Sequence, residues 1–255
     1  MQIKKSKPPF VYIVGAGPGD PFLLTVKAYK LLTEIAEVVV YDRLIPEDLL
    51  AIIPERVERI YAGKSCRNHH MTQDEINKCL VDEANKGKIV IRLKGGDPFI
   101  FGRGGEEAMH LVENKIPFEI VPGVNAADGC SAYQGIPLTH RGIATGVRFV
   151  TGHQQKGQPI DLDWQGLADP KTTIVFYMGL THLREVSENL IKHGLSKKTP
   201  VVAIQEGTMK TEKSCFSTLQ NIAKDVEKAG LKPPTLIIVG EVVGLAKKIG
   251  RGNRK

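Results

Sequence analysis

Short apolar runs alternate with helical stretches along the first half of the chain, and this alternation constrains the fold more than any other feature. The runs predict buried strands at Phe10–Val14, Val38–Tyr41, Ile89–Leu93 and Phe118–Val121. Helices are predicted between them, over residues 23–35 and over the stretch that opens with the capping-box pair Thr72 and Glu75. Strands separated by helices imply crossover connections and a mostly parallel sheet.

The pattern changes in a polar, turn-rich segment between Pro137 and Gly146, which we interpret as a domain link. Later strands are predicted at Val147–Thr151, Thr173–Tyr177, Val201–Gln205, Ser214–Thr218 and Leu236–Val239. The third and fourth of these have no helix between them, so the second sheet should be mixed. We therefore predict an α/β fold of two α/β domains, residues 1–140 and 141–255, with a basic tail from about residue 247. A ligand cleft between the two domains is expected, since such interfaces often hold sites.

Composition narrows the class of protein. The chain has 255 residues and a formal net charge of +7, which favours an anionic partner, but its cations are scattered without interleaved aromatic residues, so nucleic-acid binding is not indicated. No apolar run reaches the roughly 18 residues of a membrane span, and the N-terminus lacks the pattern of a secretory signal. The four cysteines have neither disulfide-framework nor zinc spacing. We expect a cytoplasmic protein.

A glycine-rich turn, Gly15–Pro21, follows the first strand where a dinucleotide fingerprint would lie. The third glycine of that fingerprint is replaced by Asp20, whose carboxylate would repel a pyrophosphate at the helix N-terminus. NAD or FAD binding is therefore disfavoured, although Asp42 after the second strand resembles a ribose-binding acid. The alternative is a tight turn in which Asp20 caps the next helix.

A second loop, Lys94–Glu106, is unusually rich in glycine, so its backbone can approach a ligand closely. Asp97 lies where open α/β sheets bind their ligands, and the loop lacks the pattern of a phosphate-binding P-loop.

A third segment, Val121–Tyr133, joins a Pro-Gly strand end to a helix of small residues. The adjacent His69 and His70 cannot easily converge on one ion, so no metal site is expected.

These loops resemble those of the tetrapyrrole methyltransferases. The resemblance spans roughly residues 10–245, and the 92–106 block narrows it to the uroporphyrinogen-III C-methyltransferases. It is carried by Val14–Asp20, Val40–Leu44, Gly63-Lys64, Arg92–Glu106, Gly129–Tyr133, Gly135–Arg141, Val150–His153, Phe176–Gly179 and Pro234–Gly240. It implies methylation of uroporphyrinogen III at C2 and C7 by S-adenosylmethionine, giving precorrin-2 for sirohaem or cobalamin, in a cytoplasmic homodimer of two-domain subunits without a metal.

The resemblance also implies site residues. Proton transfer is assigned to Asp42 and Lys64. Substrate carboxylates would bind Arg103, with Arg43 and Arg141 next in line. Cofactor contacts are assigned to Pro18, Gly95, Gly96, Asp97, Ile100, Asn125, Ala126, Met178 and Gly207.

Two segments depart from the family pattern. Asn125–Asp128 stands where Thr-Ala-Ala-Ser is usual, and Gln205–Thr208 where Glu-Asn-Gly-Thr is usual. No dehydrogenase, chelatase or synthase domain accompanies the pattern, so a stand-alone methyltransferase is expected. The alternatives are a sister enzyme acting on a later corrin precursor and a non-catalytic sensor of the cofactor.

Overall fold

The computed structural model describes residues 9–63, 71–152 and 160–249, and these form two compact units, one ending at Asn125 and the other beginning at Ala126. The first unit contains five strands and four α-helices in its described part: β1 Phe10–Gly15, α1 Val26–Lys30, β2 Val38–Tyr41, α2 Glu47–Leu50, β3 Glu58–Tyr61, α3 Gln73–Asn85, β4 Ile89–Lys94, α4 Gly104–Glu113 and β5 Phe118–Val121.

The strands of the first unit form one parallel sheet in the order β3-β2-β4-β1-β5. Alternate residues of each strand enter two apolar clusters, so that Val39 and Ile91 lie in one and Val38 and Val90 in the other. Both faces are therefore covered, as expected for a parallel sheet built from crossover units. The central strands β1 and β4 lead to opposite sides of the sheet, to β2 and β5 respectively, and open α/β sheets bind ligands beyond the carboxyl ends of such a strand pair.

Local signals explain where the first helices begin. Asp20 accepts a hydrogen bond from the Phe22 amide at 2.9 Å and caps a 3₁₀ turn over Pro21–Leu23, which confirms the capping interpretation. The helix predicted over residues 23–35 is shorter, because Thr25 caps α1 and the chain then continues as a π-helical turn over Leu31–Ile35. Thr72 and Glu75 form both bonds of the predicted capping box of α3.

The second unit contains a mixed sheet in the order β6-β7-β10-β8-β9. Among the described strands of this sheet only β6 and β7 pair in parallel, and β8 and β9 pair antiparallel, so the predicted mixed sheet is confirmed. Its elements are α5 Ala126–Gln134, β6 Gly146–Thr151, α6 Trp164–Leu167, β7 Thr172–Tyr177, α7 Leu183–Lys192, β8 Pro200–Gln205, β9 Lys213–Thr218, α8 Ile222–Ala229, β10 Thr235–Val239 and α9 Ala246–Ile249, with 3₁₀ turns at Leu180–His182 and Glu241–Leu245.

The division between the units falls earlier than the boundary predicted at residue 140. Helix α5 belongs to the second unit, because Ala127 and Cys130 are buried in the cluster that contains Val175 of β7 and Ile238 of β10. The polar link at 137–146 lies between α5 and β6. Apolar contact made by the small-residue helix thus decides the boundary, whereas the change in composition marks only a loop within the second unit.

Candidate active site

The glycine-rich loops of the first unit meet beyond the carboxyl ends of β1 and β4. Gly17 and Gly96 form a two-residue antiparallel bridge, with amide-to-carbonyl distances of 3.2 and 2.7 Å. The Ala16 amide donates to the Lys94 carbonyl at 2.8 Å. These bonds tie the loop after β1 to the loop after β4, so the two predicted cofactor loops form one surface.

Two glycines, Gly15 and Gly123, are packed so closely at this edge that side chains cannot be accommodated. A Cβ atom on Gly15 would lie 2.6 Å from the Gly123 nitrogen and 2.7 Å from the Gly96 oxygen, and one on Gly123 would overlap the same oxygen. Real Cβ atoms do not approach backbone this closely. The glycines therefore serve backbone packing between loops, which leaves the amide groups of neighbouring residues to shape the edge.

Asp97 joins the loop after β4 to the loop after β5. Its Oδ1 accepts from the Phe99 amide at 2.8 Å and its Oδ2 from the Gly123 amide at 3.1 Å. Gly95, which precedes the bridge, lies against Leu44, because a Cβ on it would be 3.0 Å from the Leu44 Cβ. Pro18 and Ile100 are half-buried in the same loops. Pro18, Gly95, Gly96, Asp97 and Ile100 thus lie in loops at one edge of the first sheet.

Asp42 follows β2 at the same edge and remains partly exposed, with 28% of its side chain accessible. Its Oδ1 accepts from the Leu44 amide at 3.0 Å, and its Oδ2 lies 3.3 Å from Nη2 of Arg92. The carboxylate is therefore held on one side by backbone and on the other by a buried guanidinium, and one face of it still reaches solvent. This arrangement suits a group that accepts or returns a proton.

A buried cluster of charged residues, Arg92, Lys94 and Glu107, lies behind Asp42, and the sequence analysis did not predict it. Glu107 is fully buried, and its Oε1 accepts from Arg92 Nε at 3.0 Å and from Lys94 Nζ at 2.7 Å. Burial, with the nearby Arg92 charge, lowers the pKa of the Lys94 ammonium, while Glu107 and Asp42 oppose that shift. The sequence signal that could have revealed this cluster is the presence of two cations, Arg92 and Lys94, in a strand that is otherwise apolar.

The loop that leads into α4 has strained backbone. Phe101 and Arg103 have φ values of 53° and 58°, in the left-handed region that non-glycine residues seldom adopt. Arg103 is exposed and forms a two-point ion pair with Glu106, through Nε–Oε1 at 2.9 Å and Nη2–Oε2 at 2.6 Å. The hydrogen bonds to Glu106 raise the pKa of Arg103. Arg43 is also exposed, in the loop after β2.

The predicted residues of the second unit have a similar backbone signature. Met178, at the end of β7, has a φ of 54° and is half exposed, and the residues on either side of Gly207, Glu206 and Thr208, have φ values of 49° and 70°. Such strain collects at ligand sites, because it persists only where the surroundings impose it. Arg141 is exposed in the loop before β6.

Gly207 packs against the protein itself. A Cβ on it would overlap Sγ of Cys130 in α5 and lie 3.1 Å from Cγ2 of Ile204. Burial raises the pKa of the Cys130 thiol to about 12, so the thiol is a packing group at neutral pH. The N-terminus of α5, which begins at Ala126, is held by the Ala127 amide donating to the Tyr177 hydroxyl at 3.0 Å.

Some predicted residues lie outside the described part of the chain, namely Lys64, His69 and His70. Within the described residues, no group of three or more His, Cys, Asp or Glu side chains is arranged to hold a metal ion. A search of the same residues finds no helix with the length and apolarity needed to cross a bilayer.

Comparison with known proteins shows which family the chain belongs to. The family model described as tetrapyrrole (corrin/porphyrin) methylases matches residues 11–223. The sirohaem synthase of Pseudomonas fluorescens (strain SBW25) is 52% identical over 239 residues, which are 94% of this chain and 51% of that protein. This chain thus spans about half the length of the curated relatives it matches.

Two solved structures are similar to this chain over nearly its whole length. The uroporphyrin-III C-methyltransferase from Thermus thermophilus complexed with S-adenosyl homocysteine has a TM-score of 0.77 and 39% identity, covering 91% of this chain and 92% of that one. A cobalt-precorrin-4 methyltransferase has a TM-score of 0.83 and 29% identity, covering 94% and 98%. The backbone fold is thus shared by proteins whose names give different substrates.

Proposed function

The chain belongs to the tetrapyrrole (corrin/porphyrin) methylase family, and from that membership we propose that it transfers methyl groups from S-adenosylmethionine to uroporphyrinogen III. The proposed product is precorrin-2, methylated at C2 and C7, on the route to sirohaem or cobalamin. The observation that carries the substrate is sequence identity, 39% to the uroporphyrin-III enzyme against 29% to the cobalt-precorrin-4 enzyme, although the latter has the higher TM-score. Substrate choice depends on side chains, so identity is the better guide here.

The loops of the first unit fit a cofactor of this kind. Gly15 and Gly123 pack against the backbone of Gly96 beyond the central strands, so that three loops meet where a Cβ on Gly15 or Gly123 would clash. S-adenosylmethionine supplies an electrophilic methyl on its sulfonium. In the proposed site Pro18, Gly95, Gly96, Asp97 and Ile100 line the loops of the first unit, and Asn125, Ala126, Met178 and Gly207 complete the cofactor residues.

The chain's own part in the reaction is alignment and proton transfer. An electron-rich pyrrole carbon attacks the methyl carbon as the sulfur–carbon bond breaks, so correct positioning lowers most of the barrier. Positive charge then develops on the macrocycle and a proton must leave. Asp42, held yet partly exposed, is the proposed acceptor, and Lys64 is proposed to act with it.

The exposed arginines are proposed to bind substrate. Uroporphyrinogen III is a polycarboxylate, and a net charge of +7 favours its approach. Arg103 can bind a carboxylate through two nitrogens, as it already binds Glu106, and Arg43 and Arg141 are further candidates for binding substrate carboxylates.

We also propose a cytoplasmic homodimer. The exposed apolar residues Met109 and Val112 on α4 are compatible with a protein contact.

The test is direct. The purified protein is mixed anaerobically with uroporphyrinogen III and methyl-labelled S-adenosylmethionine, and the tetrapyrroles are analysed by mass and absorbance. We expect two labelled methyl groups per macrocycle. A protein that binds the cofactor yet labels no tetrapyrrole would contradict the proposal and favour the sensor alternative. Labelling of a later corrin precursor in place of uroporphyrinogen would favour the sister-enzyme alternative.

A further inference from the structure

The Arg92 guanidinium connects Asp42 to the interior of the first unit. Its Nη2 lies 3.3 Å from Asp42 Oδ2, and its Nε donates to Glu107 Oε1 at 3.0 Å. Its Nη1 donates to two backbone carbonyls, of Val40 at 3.3 Å and of Leu93 at 3.0 Å. One planar side chain is thus fixed at four points, and the partly exposed Asp42 carboxylate is the outermost of them.

Glu107 is the anchor of this arrangement. Its side chain is fully buried, and its Oε1 also accepts from Lys94 Nζ at 2.7 Å and from Gln73 Nε2 at 3.2 Å. Arg92 and Lys94 leave only 3% and 5% of their side chains exposed. The groups bonded to Glu107 come from β4 and from α3, so its carboxylate ties α4 to two other elements.

Stability alone is a poor reason for this cluster. Desolvating charged groups costs free energy that their mutual attraction often fails to offset, and well-packed apolar residues of similar size commonly do as well or better. The other oxygen of Glu107, Oε2, is buried and has no hydrogen-bond partner among the described residues, which adds to the cost. The neighbouring strand positions Ile91 and Leu93 are apolar, so the strand itself does not require charge.

We infer that Arg92 is a positioning residue for Asp42 and that Glu107, held by Lys94, fixes Arg92 in the orientation that positioning needs. The inference rests on the proposed function, in which Asp42 accepts a proton. Arg92 has the shape for this task, because its rigid fork can bond Glu107 and Asp42 at once, whereas the single nitrogen of a lysine cannot span both. A carboxylate fixed in advance loses no free energy to reorientation during proton transfer.

A double-mutant cycle tests the inference. Arg92→Lys, Asp42→Asn and the double variant are compared with the wild type for kcat, KM, the Kd of S-adenosyl homocysteine and the melting temperature. We expect Asp42→Asn to lower kcat about a hundredfold. Arg92→Lys should lower kcat about tenfold or more through misplacement of Asp42. In the Asp42→Asn background Arg92→Lys should have no further effect, because the group it positions is already lost.

A second variant and a matched control separate positioning from folding. Glu107→Gln should lower kcat when introduced into the wild-type protein and should cause no further fall in kcat in the Asp42→Asn background. This variant takes the place of Arg92→Lys in the cycle if Arg92→Lys does not fold. The control is Glu83→Gln, since Glu83 is also a largely buried carboxylate and forms ion pairs with two lysines, Lys86 and Lys88, that lie outside the Arg92 cluster. Glu83→Gln should lower the melting temperature and leave kcat unchanged.

The outcomes are distinct. If the falls in kcat multiply when Asp42→Asn is combined with Arg92→Lys or Glu107→Gln, the inference is overturned. It is also overturned if both cluster variants keep a kcat within about twofold of wild type. If Glu83→Gln loses as much kcat as the cluster variants for the same fall in melting temperature, the cluster has only a structural role. A wild type that labels no tetrapyrrole would instead overturn the proposed function, and the inference with it.

Discussion

Arg103 and Glu106 form a two-point ion pair at the start of α4, with nitrogen–oxygen distances of 2.9 and 2.6 Å. Both side chains are more than half exposed, at 56% and 55%. The pair therefore keeps a guanidinium pre-oriented at the surface at the same edge of the sheet as Asp42. The Arg103 guanidinium can either stabilise the start of α4 through Glu106 or exchange Glu106 for a carboxylate of the substrate. The two roles predict different effects of Arg103 substitutions on kcat/KM and on stability.

Arg103→Leu should lower kcat/KM for uroporphyrinogen III tenfold or more, because a charge-assisted hydrogen bond is worth roughly 1.5–3 kcal/mol. Arg103→Lys should cost less but remain impaired, and the Kd for cofactor should stay unchanged. The surface ion pair itself should contribute at most about 1 kcal/mol to stability. Steady-state kinetics and thermal unfolding measure the two effects.

Arg56→Leu is the matched control, since Arg56 is another arginine at the surface and donates to the backbone carbonyls of Thr33 and Glu34. Its kcat/KM should not change. An Arg103→Leu enzyme with an unaltered specificity constant would assign Arg103 to the helix start, and the carboxylate role would pass to Arg43 or Arg141.

Asp42→Ala should lower turnover strongly while leaving cofactor affinity nearly unchanged, because it removes the proposed proton acceptor. The change also removes the bond to the Leu44 amide, so some stability should be lost as well. Asp169→Ala is the control, because Asp169 bonds the amide two residues ahead, at Lys171, in the same manner. Turnover of Asp42→Ala within about threefold of wild type, under ~1 kcal/mol in barrier terms, would show that the carboxylate is dispensable.

Gly123→Ala should destabilise the first unit, because the new Cβ meets the backbone of Gly15 and Gly96, which cannot move aside cheaply. We expect a loss of about 1–3 kcal/mol, as for overpacking in a core. Gly105→Ala should do the opposite: its Cβ meets nothing within 4 Å, and alanine favours the helix by about 0.5–1 kcal/mol over glycine. Chemical denaturation measures both; equal stabilities would contradict the close approach of the loops.

Gly207→Ala should lower the melting temperature even without cofactor, since its Cβ overlaps the Cys130 sulfur. Cys130→Ala removes that sulfur, so the double variant should be more stable than the sum of the two single losses. The cofactor Kd, measured on folded protein, decides the rest of the role. A weakened Kd in the double variant would support Gly207 as a cofactor residue, and an unaltered one would leave it as a packing residue only.

The sequence alone determined the elements whose signals are local. The central strands of the first sheet, the Asp20 cap, the capping box of α3 and the mixed character of the second sheet could all be predicted, because apolar periodicity and capping act over a few residues. Strand β3, Glu58–Tyr61, was missed, since an edge strand with charged residues lacks the apolar run of a central strand. The loops with predicted cofactor residues were found from their glycines and from family resemblance.

Only the tertiary structure decided which of those residues meet. The sheet order β3-β2-β4-β1-β5 brings Asp42 to Arg92, fifty positions later, and chain folding at the same sheet brings Arg92 to Glu107. Likewise the packing of α5 on the second sheet places Cys130 under Gly207 and moves the unit boundary to Asn125. The few residues over which strand and capping signals act do not contain these pairs. They arise because apolar burial selects the order of strands and helices, and the charged and glycine residues meet as a consequence of that order.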